Sequence, residues 1–244
     1  DQGGTLIVPS RPAAADGLGD PIQGWRKGPG CETGPVLPHP TNPDTVYGSC
    51  KGQFSRMALR TGQERQYWVG AQSLYGQPNA ALRFRFQRVS PMATSPHDPA
   101  VLYYGSQHVH RTRDGGVTWE VISPDLTAND PRFRETISGG PITIDVTGEE
   151  MYATLYAIRE SRVQPGLLWT GANDGPVHVT RDGGRTWANV TPRDLPPGGR
   201  VQSVEPSPHA AGRAYVAVLR YQLGDFRPHA LRTDDFGRTW TRLT

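Results

Sequence analysis

One octapeptide occurs three times in this 244-residue chain, and it constrains the fold more than any other feature. The copies are Thr112-Arg113-Asp114-Gly115-Gly116-Val117-Thr118-Trp119, Thr180-Arg181-Asp182-Gly183-Gly184-Arg185-Thr186-Trp187 and Thr233-Asp234-Asp235-Phe236-Gly237-Arg238-Thr239-Trp240. A decayed copy is read from Thr61 to Trp68, with Gln63 in place of the Asp and Arg65 in place of the Gly. From Trp68 to Trp119, Trp187 and Trp240 the successive intervals are 51, 68 and 53 residues. Repeats of about 40–50 residues have the size of a propeller blade.

The octapeptide reads as a β-hairpin. Its Asp is a short acceptor that folds back onto backbone N–H groups of its own turn. The second Gly supplies a positive φ, and in the third copy it alone carries that constraint. The Trp opens the returning strand and buries a large ring between sheets. Structural roles therefore fall to Thr112, Asp114, Gly116 and Trp119, to Thr180, Asp182, Gly184 and Trp187, and to Thr233, Asp235, Gly237 and Trp240. A Pro-rich turn and a β-rich strand precede each hairpin, as in Ser95-Pro96-His97-Asp98-Pro99 before Val101-Leu102-Tyr103-Tyr104-Gly105. Each unit reads as four antiparallel strands. The fold class is all-β: a β-propeller of about four such blades plus a partial N-terminal one. The units run over about 1–24 (partial), 25–70, 84–123, 152–192 and 200–244, with a longer connection at 124–151. Residues 1–244 are expected to form one domain, or a fragment of a larger propeller protein.

Composition agrees with many short strands. Gly (29) and Pro (23) are abundant, as tight turns require. No apolar run approaches the ~20 residues of a membrane-spanning helix. The net charge of +3 comes from scattered arginines, without the basic patch that nucleic-acid binding needs. Cys31 and Cys50 are the only cysteines. A disulfide between neighbouring strands would suit an exported (periplasmic or extracellular) protein, and two unpaired thiols are equally open. Their spacing and the lack of His partners exclude a zinc site. No metal and no cofactor is expected.

The three hairpins resemble Asp boxes, also called bacterial neuraminidase repeats. These occur in sialidases, sortilin-type receptor propellers and xyloglucanase-like glycoside hydrolases. From about residue 30 onward the chain looks closest to large bacterial Asp-box proteins labelled sortilin-like or glycosyl hydrolase. Ser95-Pro96-His97-Asp98-Pro99, Ile122-Ser123-Pro124-Asp125-Leu126-Thr127, Ser138-Gly139-Gly140-Pro141-Ile142-Thr143 and Asp225-Phe226-Arg227-Pro228 look like signatures of that group. Asp1-Gln2-Gly3-Gly4 looks like a segment inside one of its blades. The resemblance implies a longer parent with seven or more blades. It implies no catalytic residue, because the Asp box marks architecture and one fold hosts many functions. The arginine triad and Tyr nucleophile of sialidases are not found at matched places. In the xyloglucanase-like enzymes the catalytic aspartates face a cleft between two propellers.

Blade topology puts the Asp boxes and the Pro-His turns on one face. Function is sought on the other, where the segments are longer and more irregular. The ligand-binding candidates there are Asp130, Arg132, Asn173, Asp174, Arg220, Tyr221, Asp225 and Arg227. The connection from Pro124 to Gly148 adds Asp125, Arg134, Glu135 and Asp145, and Phe84-Arg85-Phe86 enters a blade from this side. His39, His97 and His209 occupy equivalent turn positions and are read as structural. Glycoside hydrolysis needs two carboxyl groups about 5–10 Å apart. Asp174, Asp225 and Glu135 are the catalytic candidates, with Asp130 and Glu205 able to complete a pair. The functional expectation is a non-catalytic binding or scaffold module. Its expected partners are further blades, another polypeptide or a glycan. The alternative is a xyloglucanase-like glycoside hydrolase.

Overall fold

The computed structural model describes residues 6–7, 26–31, 34–70, 72–140 and 150–244. Most of the expected partial N-terminal unit, the Asp1-Gln2-Gly3-Gly4 segment, Asp145 and part of the Ser138–Thr143 signature lie outside the described residues.

Eighteen short strands and three single-turn 3-10 helices make up the described regular structure. Strands β1 (Leu6–Ile7) and β2 (Arg26–Lys27) form an antiparallel pair. Four four-stranded antiparallel sheets follow, each a blade-like meander. The first holds β3 (Val36–Pro38), β4 (Thr45–Cys50), β5 (Gln53–Ala58) and β6 (Gln63–Trp68). The second holds β7 (Met92–Thr94), β8 (Leu102–Gly105), β9 (Val109–Thr112) and β10 (Glu120–Val121). The third holds β11 (Leu155–Glu160), β12 (Leu168–Ala172), β13 (Val177–Thr180) and β14 (Ala188–Asn189). The fourth holds β15 (Arg200–Pro206), β16 (Ala214–Arg220), β17 (Asp225–Thr233) and β18 (Thr241–Arg242).

The sheets stack face to face in chain order. Strand β3 touches β7, β11 touches β7 and β8, and β15 touches β11 and β12. Among the described residues no comparably extensive contact joins the fourth sheet to the first. Alternation along the strands explains the stacking, since successive side chains point to opposite faces. Trp169 on β12 turns toward the fourth sheet, in the cluster with Val201, Val204 and Val216. Its neighbours Leu168 and Ala172 turn the other way, toward Tyr103 and Val109 of the second sheet. Gly171 allows this approach: a Cβ there would lie 2.3 Å from Cγ1 of Val201. Between the first two sheets, the buried Tyr104 hydroxyl accepts from Ser49 Oγ at 3.1 Å and from the Gly52 N–H at 3.2 Å. It donates to the Gln53 carbonyl at 3.2 Å.

Each of the three hairpins closes in the same way. Asp114 Oδ1 accepts from the Thr118 N–H at 2.9 Å, and its Oδ2 accepts from the Thr118 hydroxyl at 2.6 Å. Thr112 Oγ1 donates to Asp114 at 2.8 Å and accepts from the Gly116 N–H at 3.0 Å. Asp182 and Asp235 repeat the pattern with Thr186 and Thr239. These bonds hold Asp114 and Asp235 down at about 2, and Asp182 lower still, with the Thr side-chain bond the largest cause.

Three expectations about the repeats need correction. The tryptophans are half-buried rather than sealed between sheets, because their indole N–H groups reach carbonyls at the rim. Trp187 Nε1 donates to Ile122 O at 2.9 Å and Trp240 Nε1 to Val190 O at 2.7 Å, so each clasps the preceding sheet. In the third copy both turn positions are left-handed, not only the glycine: Phe236 has φ 61° and Gly237 φ 83°. The Arg181 guanidinium 4.0 Å from the Phe236 ring centre, and packing against the third-fourth sheet core, offset that strain. The decayed copy does not form the turn that the three octapeptides share. Residues Leu59–Gly62 form the turn, and Gln63–Trp68 is all strand with Trp68 at its far end.

Cys31 and Cys50 are joined in a disulfide across 19 residues, with Cα atoms 5.3 Å apart. Nδ1 of His39 accepts the N–H groups of Thr41 and Asn42, so its ring closes its own turn. Nε2 of His97 instead meets the Ser161 carbonyl of the next sheet at 2.8 Å. His209 contributes its backbone N–H, bonded to Ser207 Oγ.

Candidate functional site

Antiparallel register fixes which strand ends share a face. Leu168 pairs with Thr180 and Ala214 with Thr233, so the second strands start beside the octapeptide turns, or boxes. Their far ends, at Ala172 and Arg220, therefore lie opposite the boxes. A cavity of about 330 Å³ opens there, between the second-to-third sheet connection, the β12–β13 turn, the start of β15 and the β16–β17 turn. Of the residues proposed from sequence, Asp130, Arg132, Asn173, Asp174 and Arg220 line it. Tyr221, Asp225, Arg227 and Glu135 do not.

Asp174 is the most unusual group in the cavity. It is 3% exposed, and its Oδ2 accepts the Asn129 N–H at 2.9 Å. Its Oδ1 is buried and has no hydrogen-bond partner. Burial pushes the carboxyl up to about 6, aided by the Asp125 charge and opposed by the Asn129 N–H. Neighbouring bonds hold the frame. Asn173 donates to Met151 O at 2.8 Å and accepts the Thr154 N–H at 3.0 Å. Behind them the buried Arg85 binds Asp125 at 2.6 Å and the Ala153 carbonyl at 2.8 Å. Phe84 and Phe86 flank it with their rings in the core of the first two sheets.

Three of the other candidate acids are committed to arginines. Asp130 receives Arg132 through Nε and Nη2. Asp225 is shared by Arg227 at 2.9 Å, His229 at 3.0 Å and Arg220 at 3.3 Å, which hold it far below the usual carboxylate range. Glu205 pairs with Arg159 at 3.7 Å, and Glu135 is solvent-exposed. Arg220 is further anchored by the carbonyls of Pro196 and Pro197.

Sequence reasoning missed several residues of the lining, including Gln87, Glu150, Tyr152, Arg200 and Gln222. They come from separate connections, and no local motif marks them. Arg200 stacks 4.6 Å from the Tyr156 ring centre and 5.9 Å from that of Tyr221. Among the described residues it has no carboxylate partner. Tyr152 is held protonated by burial and by the Asp174 and Asp130 charges. The cavity thus offers an unpartnered buried carboxyl oxygen, a guanidinium with no carboxylate partner among the described residues, a phenol and the Gln222 side-chain amide. Such a set can hold a small polar ligand by several converging hydrogen bonds.

No protein-family model matches the chain, and no curated protein matches it in sequence. Solved structures do match. The GH74 xyloglucanase from Xanthomonas campestris superposes with a TM-score of 0.54 at 17% identity, over 86% of this chain and 30% of that one. The GH74 enzyme of Niastella koreensis gives 0.43 at 17% identity, over 85% of this chain and 37% of that one. An auxiliary nutrient binding protein from Bacteroides thetaiotaomicron gives 0.48 at 12% identity, over 85% of this chain and 40% of that one. The chain therefore spans less than half the length of the structures it matches. The first likeness, with the four sheets, places the fold among β-propeller-type architectures. Identities this low speak to fold alone.

Proposed function

We propose that this chain is a non-catalytic binding module, with a small polar group such as a glycan unit held in the cavity around Asp174. One observation carries the reading: Asp174 keeps a free buried oxygen, whereas Asp130, Asp225 and Glu205 are already bound by arginines. A carboxylate neutralised in this way makes a poor second member of a hydrolytic pair. Calorimetric titration with a panel of mono- and oligosaccharides tests it. Saturable binding lost in Asp174→Asn supports the module, and binding unchanged in that variant removes Asp174 from the site.

The blades are also proposed to be completed by further blades or by another polypeptide. Tyr215 on β16 occupies the register position that Trp169 holds on β12. Trp169 is fully buried, whereas Tyr215 is 38% exposed and Leu219 beside it 39%. An apolar sheet face of this kind is suited to a covering partner. The disulfide favours an exported protein.

A second reading, a polysaccharide hydrolase, draws on the raised Asp174 value and on Glu150 in the same lining. A carboxyl held near 6 is suited to general-acid chemistry. Release of reducing ends, abolished by Asp174→Asn, would establish it.

A further inference from the structure

A second depression lies at the other end of the array. It has a volume of about 580 Å³, within the span of about 300–1,000 Å³ typical of small-ligand sites. Its lining includes Trp68, Tyr75, Gln53, Gln72 and Lys51. The walls are the turn between β4 and β5, the last residue of β6 and the connection that follows it.

Two features separate it from ordinary surface. The first is aromatic exposure. Trp68 is 51% and Tyr75 57% exposed, although large rings are normally drawn into the core. The Trp68 backbone is anchored opposite Gln53 in the β5–β6 pairing, and the Tyr75 hydroxyl accepts from Lys51 Nζ at 3.1 Å. The disulfide at Cys50 pins the same turn. Aromatic side chains have only two rotatable bonds and lose little entropy when a ligand stacks on them.

The second feature is the polar complement. Gln53 Nε2 donates to Gln66 Oε1 at 2.7 Å, which leaves the side-chain oxygen Oε1 of Gln53 as an acceptor. Gln72 Oε1 accepts the Arg83 N–H at 3.0 Å, which leaves the Gln72 amide group as a donor. An acceptor beside a donor suits a hydroxyl, which gives one hydrogen bond and takes another. No carboxylate lines the depression, so nothing in it selects a cation. Its one formal charge, Lys51, is directed at the Tyr75 ring, 5.1 Å from the centre.

We infer that this depression is a glycan-binding platform, separate from the Asp174 cavity, that takes a neutral oligosaccharide. The apolar C–H faces of the sugar rings stack on Trp68 and Tyr75, and hydroxyls exchange hydrogen bonds with Gln53 and Gln72. The inference stands whether or not the Asp174 cavity binds anything.

The test uses the whole chain and calorimetric titration with cello-, xylo-, manno- and laminari-hexaose. Oligogalacturonate and a proline-rich peptide serve as acidic and polypeptide competitors. The expected result is saturable binding of at least one neutral oligosaccharide, weakened by about tenfold or more in Trp68→Ala and in Tyr75→Ala. Phe226→Ala removes a still more exposed ring, 82% accessible and outside the depression, and leaves binding unchanged. Tyr75 lies outside any strand, so its variant keeps the test available should Trp68→Ala fail to fold. The inference is overturned if no neutral oligosaccharide binds, or if only the acidic glycan or the peptide binds. It is equally overturned if Phe226→Ala weakens binding as much as the Trp68 and Tyr75 variants.

Discussion

The Asn129 N–H donates to Oδ2 of Asp174 at 2.9 Å across 45 residues of chain, tying the long second-to-third sheet connection to the β12–β13 turn. The bond stabilises a carboxylate that burial otherwise disfavours. The balance leaves Asp174 at about 6, above its ordinary 3.8. A raised folded value means that the native state holds this proton more tightly than the unfolded chain does. Its contribution to stability is therefore full below about pH 4 and lost as pH rises to about 6, by roughly 2–3 kcal/mol. Asp174→Asn removes that decline. Urea unfolding at several pH values between 4 and 7 measures it, and parallel curves for both proteins would contradict the burial assigned to Asp174.

The aspartates of the three octapeptide hairpins behave oppositely. Asp114, Asp182 and Asp235 are depressed by their Thr bonds, so their contribution is present above about pH 4 and lost as pH falls toward 2. Thr118→Val removes the hydroxyl bond to Asp114. The melting temperature of that variant is expected to fall near neutral pH and to converge on the parent in acid.

The two glycines of one box separate backbone strain from steric contact. Gly183 has φ 74° with open space where a Cβ would go, so Gly183→Ala is expected to cost about 1 kcal/mol. Gly184 has φ 97°, and its Cβ would sit 2.6 Å from Ile122 O. Gly184→Ala is expected to cost about 3 kcal/mol or more, since strain and a backbone clash add. Equal costs in chemical denaturation would mean that the box does not press on the preceding sheet.

Trp119 stands edge-on to Phe54 at 5.2 Å, across the first sheet boundary, and bonds the Gly116 carbonyl. Trp119→Ala is expected to destabilise by about 3 kcal/mol, the low end for such truncations because the ring is half-buried. His97→Ala loses one bond to Ser161 and is expected to cost about 1 kcal/mol. Reversed magnitudes would contradict the placement of the Trp.

The Cys31–Cys50 bridge closes a loop of 19 residues. By chain entropy, replacing both cysteines with serine is expected to cost about 3 kcal/mol, read as a lower urea midpoint. An unchanged midpoint would mean that the segment before β3 needs no covalent tie to β4.

What the sequence revealed depended on how local the signal was. The octapeptide hairpins were legible because the Thr and Asp bonds that close them span at most four residues. Asp174 was legible because a turn between two recognisable strands projects it. The surroundings of Asp225 were not legible for the converse reason: His229 and Arg220 reach it from β17 and β16, and no local pattern announces two arginines and a histidine on one carboxylate. Arg200 and Tyr152 went unseen because they share a cavity with Asp174 only once separate connections converge. The false copy at Trp68 shared letters with the real ones, but β6 runs for six residues where its counterparts have two, and it carries the tryptophan past the turn.

The most direct test of the binding reading is a reducing-end assay on plant and bacterial polysaccharides, run beside titrations with the same sugars. Saturable binding that is lost in Asp174→Asn, without growth of reducing ends, is the predicted result. Reducing ends that rise in proportion to protein and vanish in Asp174→Asn would contradict it, and would make Asp174 the acid of a hydrolase.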